Sequence, residues 1–281
     1  MFRKRTLQER FWEILPGLEL WVVLIGAISL SFIRPVWAAL FIICFDFYWL
    51  LRAINGSAHL VSSYFKFQVM VKIDWLDYIN RLKDPKGFIG YLKNKPSVNG
   101  TEAKYIKHEI KRLNDFLNKG LVFPNYENFY HCILIPFVNE SVEVISAGLD
   151  SMLANHYPKD KMILILASEE RAGEEGQKIA GQIKTKYENR FLKFFLTVHP
   201  DDLEGEIKGK SANASYAIKQ ILSELAKLNI TTEQVLISNF DSDTIVHPQY
   251  FARVMYEFLT AEKPYQKSYQ PIAIYNNNIW D

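Results

Sequence analysis

The chain has 281 residues, of which 49% are hydrophobic and 23% charged, a composition that excludes a disordered protein and leaves room for a full-sized core. Its formal net charge of +2 is close to balance, so charge does not favour a nucleic-acid partner and we expect none. The two cysteines, Cys44 and Cys132, form neither a disulfide framework nor a metal-binding spacing.

Two apolar runs, residues 18–33 and 36–51, follow one another near the N-terminus and are separated by Arg34 and Pro35. Each is near the lower limit of the roughly 17–25 residues that cross a bilayer as a helix. Basic residues stand on both sides of the pair (Arg3, Lys4, Arg5, Arg10, Arg52, Lys66 and Lys72), which places both ends in the cytoplasm. We therefore predict a transmembrane hairpin over residues 1–56 of a multi-pass cell-membrane protein that contacts membrane lipid. A buried hairpin in a soluble protein is the alternative.

Residues 57–125 are helical and amphipathic in pattern, and we interpret them as a connector. From residue 126 short apolar runs alternate with helical segments. The predicted strands are residues 131–136, 161–167, 191–198, 235–240 and 269–275, and the predicted helices are 140–156, 174–188, 210–228 and 248–260. Apolar strands separated by helices predict an α/β domain over residues 126–281 with a mostly parallel sheet.

The fourth predicted strand delivers two carboxylates, Asp241 and Asp243, just past its end. Residues i and i+2 of an extended chain point to the same side, so both would face one spot where open α/β sheets bind ligands. Two hard oxygen donors suit Mg²⁺ or Mn²⁺ on a diphosphate. A solvated turn that caps the helix beginning near Pro248 explains the same residues.

Several segments, in order, resemble family 2 glycosyltransferases of the GT-A fold. Residues 133–153 with Asn155, His156, Tyr157 and Pro158 resemble the family's first strand, helix and Q-x-Y-P turn, and residues 209–213 (GKSAN) resemble its K-A-G-N segment. Residues 240–243 (FDSD) resemble its D-x-D motif. The two N-terminal apolar runs are similar to those of membrane synthases of the cellulose synthase type.

The resemblance implies binding of a nucleoside diphosphate sugar, with a UDP-sugar as the first expectation, and inverting transfer to a glycan or lipid acceptor at the cytoplasmic membrane face. Pro136 and Glu140 would line the nucleoside pocket, and Glu140 has a second interpretation as a helix N-terminal charge. Asp241 would contact the ribose or diphosphate and, with Asp243, the metal.

Four further residues take their expected roles from the same resemblance. Lys210 would lie near the diphosphate, and a surface lysine is the alternative interpretation. Asn213 would position the diphosphate or contact the base. Glu169 stands where the family has a base-reading aspartate, and an acidic loop explains it equally well. Gln270 would lie on the acceptor side.

The chain departs from the family at its end. The family's catalytic base is an aspartate of a downstream T/E-E-D motif, followed by Q-x-x-R-W, and neither is found after Asp243. We therefore expect the base beyond Asp281, with this sequence as the donor-binding half of a longer synthase. A membrane-anchored nucleotide-sugar-binding module without catalysis is the alternative. A haloacid-dehalogenase-type hydrolase needs threonine where Ile245 stands and is disfavoured.

Overall fold

The computed structural model describes residues 6–97, 100–201, 203, 206 and 209–272. The chain forms two compact units, Met1–Met70 and Val71–Asp281.

The first unit consists of two long helices, α1 (Leu7–Ile33) and α2 (Pro35–Met70). Thr6 and Glu9 close a capping box at the start of α1: the Thr6 hydroxyl accepts from the Glu9 N–H at 3.2 Å, and the Glu9 carboxylate accepts from the Thr6 N–H at 2.7 Å. The helices separate at Arg34 because Pro35 disfavours helical geometry in the residue before it and is tolerated as the first residue of α2.

Both helices of this unit expose apolar side chains. Trp21 and Trp37 are 61% and 63% exposed, and α1 has no buried residue. Helices of 27 and 36 residues are about 40 and 54 Å long, against a bilayer hydrocarbon core of about 30 Å. By length and composition both are long and apolar enough to cross a membrane. Helix α2 runs past residue 56, the boundary expected from the sequence, and ends at Met70.

The second unit begins with three helices, α3 (Trp75–Arg81), α4 (Pro85–Asn94) and α5 (Gly100–Asn118). Asp74 caps α3 by accepting from the backbone N–H groups of Leu76 and Asp77. Aromatic rings join α3 to a later helix of the unit, α9 (Tyr250–Leu259): the ring centroids of Trp75 and Tyr256 are 5.3 Å apart.

A buried carboxylate joins α5 to α9. Glu109 is 2% exposed and accepts a hydrogen bond from the Tyr256 hydroxyl at 2.6 Å and one from the Arg112 guanidinium at 2.7 Å. Arg112 also donates to Glu257 at 2.6 Å. The charge is therefore paired and hydrogen-bonded, which is the condition under which a buried carboxylate is tolerated.

The remainder of the unit is a four-stranded parallel sheet with helices between its strands, which confirms the predicted α/β class. The strands are β1 (Tyr130–Pro136), β2 (Met162–Glu169), β3 (Lys193–His199) and β4 (Val235–Asn239), in the order β3-β2-β1-β4. The connecting helices are α6 (Val142–Leu153), α7 (Gly173–Tyr187) and α8 (Lys210–Lys227).

The core lies where α8 covers one face of the central strands. Ala217, Ile221 and Leu225 follow one another at helical spacing and are buried against alternating strand residues, namely Cys132, Leu134, Ile163, Ile165 and Ala167. Every residue of β2 is buried, as expected for a parallel strand covered on both faces.

The predicted fifth strand, residues 269–275, is not found over residues 269–272, which are irregular; residues 273–275 lie outside the described part of the chain. Pro271 has no backbone N–H to donate to a ladder, which explains why this segment does not pair.

The strand order creates a ligand-binding crevice. From β1 the chain moves outward through β2 to β3 and then returns to place β4 on the opposite side of β1. The carboxyl ends of β1 and β4 therefore flank the topological switch point, where open α/β sheets bind ligands.

Candidate functional site

A cavity of about 920 Å³ lies at the switch point, over the carboxyl ends of the strands. Six of the eight residues predicted as a site line it: Pro136, Glu140, Glu169, Lys210, Asp241 and Asp243. The other lining residues are Phe137, Val138, Val144, Ala147, Arg171, Ser242 and Ile245. The sequence thus predicts residues that are far apart in the chain and that the fold brings to one cavity.

The carboxylate pair lies on the loop that follows β4. The Phe240 N–H donates to the Leu134 carbonyl at 2.9 Å, which extends the pairing of β4 with β1 by one residue. Beyond it Asp241 and Asp243 are exposed and line the cavity, whereas Ser242 between them is buried. We call residues 240–246 the acidic loop.

The acidic loop does not act as a helix cap. Helix α9 begins at Tyr250 instead of near Pro248, and its N-cap residue is Gln249. The Asp241 carbonyl accepts from the Thr244 N–H within the loop at 3.0 Å. Residues 241–244 therefore form a turn, as the alternative interpretation held, but neither aspartate caps α9, and both side chains line the cavity.

Glu140 braces the acidic loop against the end of β1. One carboxylate oxygen accepts from the N–H groups of Val138 and Asn139 at 2.8 and 3.0 Å, and the other accepts from the Ser242 hydroxyl at 2.9 Å. Burial alone would raise the pKa of Glu140, but the hydrogen bonds from Val138, Ser242 and Asn139 hold it below its usual value. Glu140 is not the cap of α6, whose N-cap is Ser141.

The middle of the acidic loop rests on α6 at Gly148. A Cβ atom at this position would lie 3.0 Å from the Thr244 carbonyl oxygen and 3.2 Å from that of Ser242. One turn further along α6, the Ser151 hydroxyl accepts from the Val246 N–H at 3.0 Å. The loop is thus held in its middle and at its C-terminal end by the same helix.

Two cationic side chains reach the cavity, and each is paired with a carboxylate there. Lys210, the first residue of α8, forms an ion pair with Asp241. Arg171 donates to Glu169 at 2.5 Å, and Glu169 is buried at the end of β2. Sequence reasoning does not identify Arg171; the indication available was a cation two residues after the strand-end Glu169.

Two predicted residues lie elsewhere. Asn213 is fully buried in α8, where its amide donates to the Ala167 carbonyl at 2.9 Å, and it does not line the cavity. Gln270 is exposed and does not line it either. Its neighbours Tyr269 and Pro271 line a separate cavity of about 420 Å³ beside the outer edge of β4.

The carboxylates of the cavity suit a metal ion that is also coordinated by a bound ligand, not one held by protein side chains alone. Within residues 6–97, 100–201, 203, 206 and 209–272, no three His, Cys, Asp or Glu side chains form a group that could hold a metal ion. Asp241 and Asp243 supply two hard oxygen donors, so an Mg²⁺ or Mn²⁺ ion would complete its shell with ligand oxygens and water.

No protein-family model matches the chain, and no curated protein matches its sequence. Among solved structures it is similar to a mannosyltransferase, PcManGT from Pyrobaculum calidifontis in complex with GDP-Man and Mn²⁺, with 16% sequence identity and a TM-score of 0.33. The similarity covers 70% of this chain and 42% of that one, so this chain spans less than half the length of the mannosyltransferase.

Proposed function

We propose that this chain binds a nucleoside diphosphate sugar together with Mg²⁺ or Mn²⁺ and serves a membrane-associated glycosyl transfer of the family 2 type. The observation that supports this most directly is the meeting of Asp241, Asp243 and Lys210 in one cavity at the switch point of a parallel sheet. Carboxylates for a metal and an ammonium for a phosphate are the groups that a metal diphosphate requires.

The net charge of the cavity supports the proposal that a metal ion accompanies the diphosphate. Four carboxylates line it (Glu140, Glu169, Asp241 and Asp243) against two cations (Lys210 and Arg171), so four negative minus two positive charges leave a net charge of −2. A diphosphate is repelled by such a cavity unless a divalent cation accompanies it. The bound metal would neutralise charge that develops on the departing nucleoside diphosphate.

Lys210 would change partners when the donor binds. With Asp241 engaged by the metal, the Lys210 ammonium is released to a phosphate oxygen, where a charge-assisted hydrogen bond forms. Lys210 also begins α8, and a helix N-terminus favours an anion. The nucleoside would lie over Pro136 and toward Glu169, with a uridine nucleotide as the first candidate.

Transfer with inversion would need a base that accepts the proton of the acceptor hydroxyl. We assign no base among the described residues. Glu140 is already occupied by hydrogen bonds from Val138, Asn139 and Ser242, and Asp241 and Asp243 belong to the metal in this proposal. The sugar acceptor would be a glycan or a lipid on the cytoplasmic side, with Gln270 as the proposed acceptor-side residue.

A nucleotide-sugar-binding module that does not transfer the sugar is the second candidate, and it is favoured by the same lack of an assigned base. Turnover separates the two candidates, because both bind the donor and only a transferase releases nucleoside diphosphate in the presence of an acceptor.

Helices α1 and α2 would anchor the chain in the cell membrane as a hairpin with both ends in the cytoplasm. Two observations support this. The apolar side chains of both helices are exposed over an area too large to be stable in water, and basic residues stand on both sides of the pair. A cysteine placed near Arg34 should be labelled from outside the cell and one near Lys66 only from inside. Labelling of both positions from the same side would contradict the hairpin.

Calorimetry on the full chain tests the donor site. We expect UDP or GDP to bind more tightly with Mn²⁺ than with chelator, and Asp243→Ala to weaken the Mn²⁺-dependent affinity about tenfold to a thousandfold, or about 1.4–4 kcal/mol. Asp115→Ala, at an exposed position of α5, is the control and should bind as the wild type does. Unchanged affinity in Asp243→Ala would show that the acidic loop is only a turn.

A further inference from the structure

The acidic loop runs into a turn that is held from several directions at Gln249. This side chain is buried at the N-terminus of α9 and reaches the start of α3: its amide oxygen accepts from the Trp75 N–H at 3.2 Å, and its amide nitrogen lies 3.4 Å from the Asp74 carboxylate. The same nitrogen lies 2.8 Å from Nδ1 of His156. One amide thus joins α3, the segment after α6 and α9.

The orientation of this amide follows from its partners. The Trp75 backbone N–H can only donate, so it requires the oxygen of Gln249. The amide NH₂ therefore faces His156 and Asp74, both of which offer acceptors. No other arrangement of the Gln249 amide satisfies the three partners together.

The two residues before Gln249 are fixed by the segment that follows α6. The Asn155 amide donates to the His247 carbonyl at 2.9 Å, and the His156 N–H donates to the Pro248 carbonyl at 2.8 Å. The Gln249 N–H in turn donates to Nδ1 of His247 at 3.2 Å. The turn at residues 247–249 therefore has little freedom to move independently of its surroundings.

We propose that Gln249 is a positioning residue that ties the placement of the Asp241–Asp243 pair to the start of α3. The acidic loop runs directly into the turn at residues 247–249, and both rest on α6 and the segment after it, the loop at Gly148 and Ser151 and the turn at Asn155 and His156, so loss of the Gln249 contacts loosens the chain that carries the carboxylates. The consequence for ligand binding rests on the proposed donor site; the mechanical link between α3 and the loop does not.

The start of α3 is itself firmly held. Trp75 is buried under the Arg253 guanidinium, which lies 3.9 Å from its ring centroid, and Asp74 caps the helix. In the sequence Asp74 comes shortly after Met70, where α2 ends.

Hydrogen exchange of the full chain in detergent tests the link without any ligand. Gln249→Leu and Asp74→Ala should each speed amide exchange in residues 241–246 by about tenfold. In the double variant exchange should match that of Gln249→Leu alone, because the contact with Asp74 is among those that Gln249→Leu already removes. Thr260→Val is the control: it removes a buried hydrogen bond at the other end of α9, from Thr260 to the Tyr256 carbonyl at 2.7 Å, and should leave the loop unchanged.

Binding of UDP with Mn²⁺, measured on the same variants, gives a second readout. We expect Gln249→Leu to weaken it about fivefold to tenfold, and Thr260→Val to leave it unchanged even where the two variants lose equal thermal stability. Loop exchange that is unaltered in Gln249→Leu and in Asp74→Ala would overturn the proposal. If the wild type itself binds no nucleotide, the donor site is wrong, and the exchange data alone decide whether the link exists.

Discussion

Gly148→Ala tests the close packing of the acidic loop against α6. The new methyl carbon would lie 3.0 and 3.2 Å from the carbonyl oxygens of Thr244 and Ser242, closer than a relaxed contact. Both are backbone atoms, so neither rotates away, and the loop itself must move by a few tenths of an ångström. Overpacking of this kind costs about 1–3 kcal/mol. Alanine in a helix interior is favoured over glycine by about 1 kcal/mol.

These opposing effects predict a net loss of about 0–2 kcal/mol in the free energy of unfolding, measured by urea denaturation. Displacement of the carboxylates should lower the Mn²⁺-dependent affinity for UDP about tenfold, or about 1.4 kcal/mol, measured by calorimetry. Gly181→Ala in α7 is the matched control, because no atom lies within 4 Å of its Cβ position. It should gain about 1 kcal/mol and bind unchanged. Gly148→Ala that is stabilised like Gly181→Ala and binds UDP like the wild type would refute the reasoning.

Three further predictions concern single side chains. Burial lowers the pKa of His131 to about 3, so below about pH 6.5 the unfolded state binds a proton that the folded state does not, and stability falls. Urea denaturation at pH 6.5 and 4.5 should show a loss of about 2 kcal/mol that His131→Leu lacks. Glu140→Ala leaves two N–H groups and a hydroxyl without their acceptor and should lower the free energy of unfolding by about 2–3 kcal/mol. Glu140→Gln can still accept from Val138 and Asn139 and should lose only about 1 kcal/mol in the same assay. Lys210→Met should weaken UDP binding with Mn²⁺ about tenfold in calorimetry, because the cavity then keeps one cation against four carboxylates; equal affinity would place Lys210 outside the site.

The sheet and the meeting of the strand-end residues could be predicted from sequence because they depend on short-range regularities. Apolar runs without alternation indicate parallel strands, and parallel strands bring their carboxyl ends to one edge. Asp241 and Asp243 both reach the cavity because they follow directly on the carboxyl end of β4, although residues 241–244 form a turn instead of the extended chain expected from the sequence. Pro136 ends β1, Glu140 follows it and Glu169 ends β2, so all three reach the same cavity.

What could not be predicted depends on contacts between distant parts of the chain. Glu140 is a brace because Ser242 comes to lie beside it, and Gln249 joins three elements that no periodicity connects. Arg171 reaches the cavity through a short 3₁₀ turn after β2. The failure of residues 269–272 to form a strand reflects the local chemistry of Pro271 overriding an apolar pattern.

The central claim is that Asp241 and Asp243 hold a divalent metal only together with a diphosphate. Electron paramagnetic resonance of Mn²⁺ measures the fraction of bound metal directly. We expect little binding of Mn²⁺ to the protein alone, because two carboxylates form an incomplete coordination shell. Addition of UDP or GDP should clearly increase the bound Mn²⁺, and Asp243→Ala should abolish that increase. Tight Mn²⁺ binding without nucleotide, or a nucleotide-induced increase that persists in Asp243→Ala, would contradict it.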